Sequence, residues 1–251
     1  MTIPQHISIK NGALPTVSIV TVTYNASSLI EKTLNNIKEQ DYPNKEIIVV
    51  DGNSTDGTTD IIKRHAALGS VTKWVSENDN GIYDAMNKGA NMTTGEWVIF
   101  MNAGDYFASD NILSQIFSQD LSDADVVYGD VVKDGQIKKA PNKYYIYHRM
   151  LFCHQCVFTR RRWLIDFPFD TRHKLSADYK SFISLYQNNA RFKYISLPIA
   201  VFDTGGISNR QRSKGLRDNI SVIWETFPFF QRIKLIARLA VPYIMCVLRG
   251  K

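Results

Sequence analysis

Residues 17–24 have the sequence VSIVTVTY, and residues 46–51 have the sequence EIIVVD. Both stretches are short, rich in β-branched residues and almost continuously apolar, which is typical of strands buried on both faces of a parallel sheet. Between them, Ile30, Leu34 and Ile37 recur at helical spacing, as on the buried side of an amphipathic helix. This part of the sequence therefore predicts a strand–helix–strand unit.

The same alternation continues beyond this unit. Further helices and strands are predicted at residues 58–67, 71–75, 83–91 and 97–101. Strands and helices that alternate with short links predict the α/β class, here a doubly wound, mostly parallel sheet flanked by helices. Ser28 followed by Glu31 indicates a capping box at the start of the first helix.

The pattern becomes less regular after residue 125. We predict a strand at 126–133, a hairpin or loop at 135–147, a strand at 151–161, a helix at 177–188 and basic helices in the last fifty residues. No linker or internal repeat separates these parts. The predicted organisation is one domain over residues 1–210, with halves at 16–125 and 126–210, and a basic amphipathic helical tail at 211–251.

The composition is that of a globular protein. The chain has 251 residues, of which 44% are hydrophobic and 22% are charged, so a disordered or collagen-like protein is excluded. Three cysteines are too few for a disulfide scaffold and favour a reducing compartment. The start of the chain lacks the features of a signal peptide, and no run of about 20 apolar residues could span a bilayer. We therefore expect a cytoplasmic protein.

The charge is distributed unevenly. Residues 1–140 carry 11 Lys and Arg against 18 Asp and Glu, whereas residues 141–251 carry 19 against 6. This asymmetry predicts two surfaces with different partners. A basic half could face nucleic acid, a phosphorylated ligand or a membrane, or it could be a solvated face. Because no nucleic-acid-binding motif accompanies the charge, we expect no nucleic-acid partner.

Polar residues follow three of the predicted strands, where parallel sheets bind ligands. Asp51 lies at one strand end and suits a contact with a base or a ribose hydroxyl, and Asp105, beside a glycine, suits a hard cation. The alternative is that each acid caps the following helix. No G-x-G-x-x-G follows the first strand and no phosphate-binding G-x-x-x-x-G-K-[ST] occurs, which excludes a dinucleotide dehydrogenase and a P-loop NTPase.

Four segments in this order resemble family 2 glycosyltransferases, which have the GT-A fold. They are SIVTVTYN (18–25), EIIVVDGNSTDGT (46–58), ENDNGIYDAMNKGANMTTGEW (77–97) and FMNAGD (100–105). With later matches the resemblance covers about residues 16–210. It is greatest to bacterial enzymes that build O-antigen, capsule or exopolysaccharide units.

The resemblance implies a site for a nucleotide-diphosphate sugar at the strand ends. The residues it places around the donor are Thr23, Tyr24, Asn25, Asp51, Asp56, Asp79, Lys88 and Asn102. Asp105 matches the last acid of the family's D-x-D-D metal motif, which implies a divalent Mn or Mg ion. The motif is reduced here to Asn102-Ala103-Gly104-Asp105, so we expect a weaker metal requirement than in the family. Alternatively, Lys88 is a solvated surface residue.

The second half supplies the acceptor side of this resemblance. Asp178 matches the aspartate of the family's E-D motif, in which a carboxylate is the catalytic base, although Ala177 replaces the glutamate. Without the resemblance, Asp178 would be interpreted as a helix N-terminal acid. His154 and Gln155, and the glycines Gly205 and Gly206, match segments close to the acceptor and the donor sugar. The Cys153–Cys156 pair has no second pair for zinc, so a metal or redox role is disfavoured.

Together these features predict an inverting, non-processive transferase that moves a sugar from a UDP-sugar to a lipid-linked glycan in bacterial surface polysaccharide synthesis. Residues 160–163 do not form the Q-x-x-R-W motif of processive synthases. The alternative is a catalytically inactive module that binds a nucleotide sugar or a glycan. The sequence gives no oligomeric state.

The tail has its own pattern. Residues 207–251 carry 9 Lys and Arg against 2 Asp and Glu, interspersed with aromatic and aliphatic residues. That combination predicts an interfacial membrane segment, since anionic lipids attract basic clusters. The alternative is a helix packed on the domain. We expect peripheral attachment to the inner face of the cell membrane.

Overall fold

A computed structural model describes residues 14–142, 146–147, 153–202 and 211–248. The strands of this part of the chain are β1 (Val17–Thr23), β2 (Lys45–Asp51), β3 (Lys73–Ser76), β4 (Trp97–Phe100), β5 (Tyr106–Phe107), β6 (Val126–Lys133), β7 (Gln136–Lys138), β8 (Val157–Arg160) and β9 (Phe192–Val201). The helices are α1 (Ser27–Glu39), α2 (Thr58–Ala67), α3 (Ile82–Met92), α4 (Ile112–Phe117), α5 (Arg161–Asp166), α6 (Ala177–Gln187), α7 (Arg212–Thr226) and α8 (Phe229–Leu248), and a 3₁₀ turn spans His154–Cys156.

The strands form one sheet in the order β3-β2-β1-β4-β8-β6-β9-β5, with β7 paired to β6. Strands β3, β2, β1 and β4 run parallel to one another. Strand β8 runs antiparallel to both β4 and β6, and β6 is parallel to β9. The α/β class predicted from the sequence is confirmed, and the antiparallel strand β8 joins the two halves into one sheet.

The sheet is covered on both faces, which explains its nearly continuous apolar strands. Ile19 of β1 belongs to a core cluster with residues of α1 and α2. The next residue, Val20, belongs to a second cluster with residues of α3. Helix α3 lies so close to β1 that a Cβ at Gly89 would be 2.4 Å from Val20 Cγ1. A larger residue at position 89 would push this helix off the sheet.

The start of α1 differs from the predicted capping box. The helix begins at Ser27, and no side chain of its own N-terminus caps it. Instead, the backbone N–H of Ser27 donates to Asp56 Oδ2 over 3.0 Å, and that of Ala26 donates to Thr58 Oγ1 over 2.9 Å. The loop after β2 lies across the helix terminus and satisfies donors that the local sequence would otherwise have to satisfy.

The second half has its own core and includes part of the predicted tail. Val222, Ile223 and Phe227 of the α7 region are buried with residues of α6, β6 and β9. Leu235 of α8 belongs to the same cluster. Helix α7 is therefore packed on the domain. Within the described ranges, no helix combines the length and the apolar character needed to cross a membrane.

A buried carboxylate ties the beginnings of the central strands together. Glu46, 6% exposed, accepts hydrogen bonds from Ser18 Oγ (2.5 Å), the Thr94 N–H (2.5 Å), Thr94 Oγ1 (2.9 Å) and the Gly95 N–H (2.9 Å). Burial opposes ionisation, but these donors outweigh it and lower the pKa of Glu46 from 4.5 to about 2. The ionised side chain therefore stabilises the fold.

Replacing Glu46 with Gln should lower the free energy of unfolding at neutral pH by about 2 kcal/mol, because an amide cannot accept all four hydrogen bonds. The folded-state pKa lies below the unfolded one, so the carboxylate contributes fully above the unfolded value of 4.5 and loses its contribution as the pH falls towards 2. Urea unfolding of both proteins at several pH values measures this difference. A difference that does not shrink between pH 5 and pH 2 would contradict it.

Candidate active site

Residues from three strands meet at the carboxyl edge of the parallel part of the sheet. Thr23, the last residue of β1, is paired with Asp51, the last residue of β2. The chain after β4 continues alongside β1, since the Ala103 N–H donates to the Val22 carbonyl over 3.2 Å. Asn102 therefore lies beside the end of β1. The predicted grouping of these strand ends is what the structure shows.

Asp51 is fully buried and accepts hydrogen bonds from the loop after β2 and from the last residue of β3. Its carboxylate accepts hydrogen bonds from the Ser54 N–H (2.9 Å), the Ser54 hydroxyl and Ser76 Oγ (2.6 Å). Ser54 in turn accepts the Asn25 N–H over 2.8 Å, and Asn25 Oδ1 accepts the Thr55 N–H over 2.9 Å. The loops after β1 and β2 are thus joined into one rigid rim.

The side chains of Tyr24 and Asp79 both lie close to Gly52, next to this rim. A Cβ at Gly52 would lie 2.6 Å from Asp79 Oδ2 and 3.3 Å from Tyr24 Cδ2. Asp79 Oδ1 accepts the Gly81 N–H over 2.8 Å at the start of α3. Tyr24 is 66% exposed. An exposed aromatic ring, that of Tyr24, therefore lies beside Gly52, which has no side chain.

Asp56 and Lys88, two further predicted donor residues, also have protein partners. Asp56 caps α1, and its hydrogen bonds from Thr58 and from the Ser27 N–H keep its pKa well below the usual range. Lys88 Nζ lies 2.8 Å from Glu77 Oε1 and donates to the Asn78 carbonyl over 2.8 Å. The hydrogen bond to Glu77 raises the pKa of Lys88. Both side chains organise the rim in the structure described here.

Asp105 and Gln155 form a buried pair between the two halves of the chain. They are 4% and 3% exposed, and Gln155 Nε2 donates to Asp105 Oδ2 over 2.8 Å. Gln155 Oε1, Asn102 Oδ1 and the Thr23 hydroxyl are buried without a hydrogen-bond partner among the described residues. Unsatisfied buried acceptors of this kind indicate a place for an ion, a water or a ligand group.

A second chain of contacts links Asn102 to Asp178. Asn102 Nδ2 lies 2.8 Å from His154 Nε2, and His154 Nδ1 lies 3.4 Å from Asp178 Oδ2. With Asn102 donating, His154 carries its proton on Nδ1 and donates towards Asp178, a tautomer assigned from these partners. The Tyr83 hydroxyl donates to Asp178 Oδ1 over 2.9 Å. Asp178 therefore sits close to the residues that follow β4.

The donor set around Asp105 fits a hard divalent cation. Such ions take carboxylate and amide oxygens together with phosphate oxygens and water. Asp105 supplies a carboxylate, and the unsatisfied oxygens of Asn102 and Gln155 supply amide acceptors in the same region. Because the described residues offer one carboxylate at this position, further ligands would come from the bound donor and from water.

One group of possible metal ligands in the described residues lies elsewhere, at Asp170, His173 and Glu225. Lys180 Nζ is 2.7 Å from Asp170 Oδ2 and 2.5 Å from Glu225 Oε2. The positive charge of the Lys180 side chain therefore already pairs with these two acids. The two cysteines at 153 and 156 are equally unsuited. Burial raises the pKa of Cys153 to about 11 and that of Cys156 well above its usual value, which disfavours the thiolate that metal binding needs.

The sequence did not predict a role in the site for Tyr83, Ser54 or Ser76. Tyr83 occupies a buried helical position and so has the pattern of a core residue, whereas its hydroxyl reaches Asp178 across 95 positions of sequence. The serines are ordinary turn and strand-end residues by composition. Gly205 and Gly206 lie outside the described residues.

A cavity of about 470 Å³ lies at the opposite edge of the sheet, lined by Arg160, Arg161, Arg162 and Arg191 with three other residues. Arg160 is paired with Trp97, the first residue of β4. Its guanidinium donates to the carbonyls of Ala124 and Leu121. The arginine run is therefore remote from the strand carboxyl ends and is partly committed to holding the sheet together.

The family model described as Glycosyl transferase family 2 matches residues 18–185, which is more than half of the chain. The chain belongs to this family. It is a glycosyltransferase with the GT-A fold, and the matched region contains Thr23, Asp51, Asp105, His154 and Asp178.

One relative is similar over nearly its whole length. A PGL/p-HBAD biosynthesis glycosyltransferase of Mycobacterium bovis (strain BCG / Pasteur 1173P2) is 29% identical over 247 residues, covering 94% of this chain and 91% of the relative.

Two solved structures share the fold. S. aureus TarS 1-349 in complex with UDP-GlcNAc has a TM-score of 0.70 and 19% identity, covering 90% of this chain and 71% of that chain. The mannosyltransferase PcManGT from Pyrobaculum calidifontis, in complex with GDP-Man and Mn²⁺, has a TM-score of 0.69 and 21% identity, covering 95% and 77%. In the longer TarS structure the matched part is 43% of that chain.

Proposed function

We propose that this glycosyltransferase is an inverting, non-processive enzyme that uses a nucleotide-diphosphate sugar, with a UDP-sugar as the first choice. The observation that carries the proposal is the contact of Asp178 with His154, which in turn contacts Asn102. These residues lie beside the Asp105–Gln155 pair. A candidate base from the second half thereby lies next to a candidate cation site that both halves form. The base would take the acceptor proton, and the ion would stabilise the leaving diphosphate.

In this proposal, the rim at the ends of β1 and β2 holds the nucleoside. Asp51 is fixed by Ser54 and Ser76, and Asn25 is fixed by the Thr55 N–H. The exposed ring of Tyr24 beside Gly52 suits stacking with a planar base, because aromatic faces offer large contact area. Asp56, Asp79 and Lys88 support the loops around this space.

Asp105, with Asn102 and Gln155, would hold a divalent Mn or Mg ion. Such an ion supplies charge stabilisation for the diphosphate as it leaves. Gln155 Nε2 orients the Asp105 carboxylate, and the Thr33 hydroxyl donates to the Asp105 carbonyl over 2.9 Å. These contacts fix the carboxylate before the donor arrives.

Asp178 would take the proton of the acceptor hydroxyl. The acceptor oxygen forms a bond to the anomeric carbon from the face opposite the diphosphate, the bond to the diphosphate oxygen breaks, and the proton passes to Asp178. Tyr83 and His154 contact both oxygens of this carboxylate and fix its direction. This single displacement inverts the anomeric configuration.

A donor panel tests the proposal. UDP-, GDP- and dTDP-sugars, each with and without Mn²⁺, are incubated with the protein, and the release of nucleotide and the thermal shift are measured. A donor that stabilises the fold by mass action and is turned over supports the proposal. Stabilisation without turnover, also in the presence of a lipid-linked acceptor, would favour the binding-module alternative.

We further propose that the acceptor is a polyprenyl-linked glycan of a bacterial surface polysaccharide and that α8 contacts the membrane. Helix α8 has no Asp or Glu and carries Arg232, Lys234 and Arg238. Its exposed large apolar residues are Phe229, Phe230, Ile233, Val241, Ile244, Met245, Val247 and Leu248. Basic and apolar side chains exposed on one helix are complementary to an anionic lipid surface.

Replacing Phe229, Phe230 and Ile233 together with Ser should weaken binding to anionic vesicles by at least about 10²-fold, because each buried large apolar side chain contributes about 2 kcal/mol. Vesicle sedimentation measures the loss, and high salt should weaken the remaining charge-driven binding. The matched control replaces Leu68 and Ile137, which are 69% and 58% exposed on other elements. Equal binding of the two variants would exclude this use of α8.

A further inference from the structure

Helix α7 contacts the segment that leads directly into the helix bearing Asp178. Asp218 Oδ1 lies 2.9 Å from His173 Nδ1, and Asp218 Oδ2 accepts the Leu175 N–H over 2.8 Å. The Ser176 hydroxyl donates to the Gly215 carbonyl over 3.3 Å. Ser176 is the N-cap residue of α6. One carboxylate of α7 therefore holds two points of the short segment before Asp178.

A second carboxylate of α7 holds the neighbouring charges. Glu225 Oε2 is 3.2 Å from His173 Nε2 and 2.5 Å from Lys180 Nζ. His173 is 2% exposed, and an imidazole can donate from both ring nitrogens only when each carries a proton. His173 therefore lies between two acids of the same helix, Asp218 at Nδ1 and Glu225 at Nε2, and Lys180 Nζ lies 3.4 Å from its Nε2.

The charge of Asp218 also acts on Tyr83, the hydrogen-bond partner of the candidate base. Burial and the charge of Asp178 raise the pKa of Tyr83 well above its usual value, and the charge of Asp218 adds to this effect. Tyr83 is the residue whose hydroxyl donates to Asp178 over 2.9 Å. The sequence gives no sign of this link, because Asp218 lies in the predicted tail.

We propose that Asp218 is a positioning residue: by binding His173 and the Leu175 amide, it places Asp178 for proton transfer from the acceptor. This rests on the proposed function, in which Asp178 is the base. The contacts of α7 with the segment before α6 are then needed for the chemical step, whereas the donor binds without them. A misplacement of a catalytic group by about 1 Å can cost about 10²-fold in rate. A shift of the start of α6 would also lengthen the contacts of Asp178 with Tyr83 and His154.

The experiment compares three variants of the full chain. Asp218→Ala should lower kcat by about 10²-fold with the dissociation constant of the donor nucleotide, measured by calorimetry with UDP, changed less than about 2-fold. Asp218→Asn should restore most of the rate, because its amide oxygen can still accept the Leu175 N–H. Glu225→Gln is the matched control on the same helix: it should lower the melting temperature but leave kcat within about 3-fold.

Asp218→Glu keeps the charge and lengthens the side chain, and it serves if the alanine variant does not fold. It should shift the start of α6 and lower kcat while circular dichroism stays native. An unchanged kcat in a folded Asp218→Ala or Asp218→Glu protein would overturn the proposal, as would an equal loss of kcat in Glu225→Gln.

A double variant separates this proposal from the proposed function. If Asp218 acts through Asp178, adding Asp218→Ala to Asp178→Asn should produce no further loss of the residual rate, since residues that act as a unit are not additive. A full additional loss would overturn the positioning role and leave the base in place. Full activity of Asp178→Asn alone would instead remove the base, and both proposals with it.

Discussion

Replacing Asp178 with Asn should lower the rate of sugar transfer by about 10³-fold, while donor binding and the fold are retained. The expected loss follows from the removal of a general base, which contributes about 10² to 10⁴ in rate. The amide oxygen of Asn can still accept one of the two hydrogen bonds that Tyr83 and His154 donate to Asp178, and the side chain keeps its size, so we expect the site to stay assembled. Initial rates with a radiolabelled donor, and calorimetry with UDP, measure the two quantities separately.

The matched control is Asp60→Asn. Asp60 is an acid in the first turn of α2, as Asp178 is in the first turn of α6. An acid at this helix position interacts favourably with the helix dipole, contributing about 0.5 kcal/mol at an exposed site. If Asp178→Asn transfers sugar as fast as Asp60→Asn does, Asp178 is only a helix N-terminal acid and the base lies elsewhere.

Replacing Asp105 with Asn should remove stimulation by divalent ions and weaken UDP binding in the presence of Mn²⁺ by at least about 10²-fold. The reason is that Asp105 is the single acid retained from the metal motif, and a bound ion contributes several kcal/mol of charge stabilisation. The amide oxygen can still accept from Gln155 Nε2, so the buried contact is preserved. Calorimetric titration of UDP with and without Mn²⁺ measures the effect.

The exposed acid Asp110, five residues further on, provides the control for this experiment. Asp110→Asn should leave the Mn²⁺ dependence unchanged. If Asp105→Asn also leaves it unchanged, the ion is held by other residues or is not used. The reduced motif, with Asn102 and Gly104 in place of acids, leads us to expect a weaker ion requirement than that of a family member with the full motif.

The first half of the fold could be predicted almost element by element. Strands β1 and β2 are buried on both faces, so their apolar runs are continuous, and α1 between them has a clear apolar stripe. Strand β9 was missed because its buried and exposed residues alternate irregularly, it contains Pro198, and its register with β6 shifts near Asp130. Strand β5 has two residues, which is too short for a pattern.

The candidate site could be predicted in its residues but not in its connections. Asp51, Asp105 and Asp178 lie in short segments whose resemblance to the family can be recognised without the structure. The contact between Asn102 and His154 joins positions 52 apart, and that between Tyr83 and Asp178 joins positions 95 apart. Only the folded sheet, with β8 inserted between β4 and β6, determines such contacts.

The tail shows the same limit. Its basic and aromatic composition indicates a surface helix, and α8 has exposed apolar side chains. The composition could not indicate that Val222, Ile223 and Phe227 are buried in the second core. Burial there depends on the shape of α6 and β9, which the tail sequence does not contain.

In the proposed mechanism, Asp178 and Asp105 serve one site that transfers a sugar with inversion. The most direct test is the anomeric configuration of the product, measured by NMR after incubation with a UDP-sugar, Mn²⁺ and a polyprenyl-diphosphate-linked sugar. We expect a new glycosidic bond with the configuration opposite to that of the donor. A product with retained configuration, or tight donor binding with no product, would contradict it.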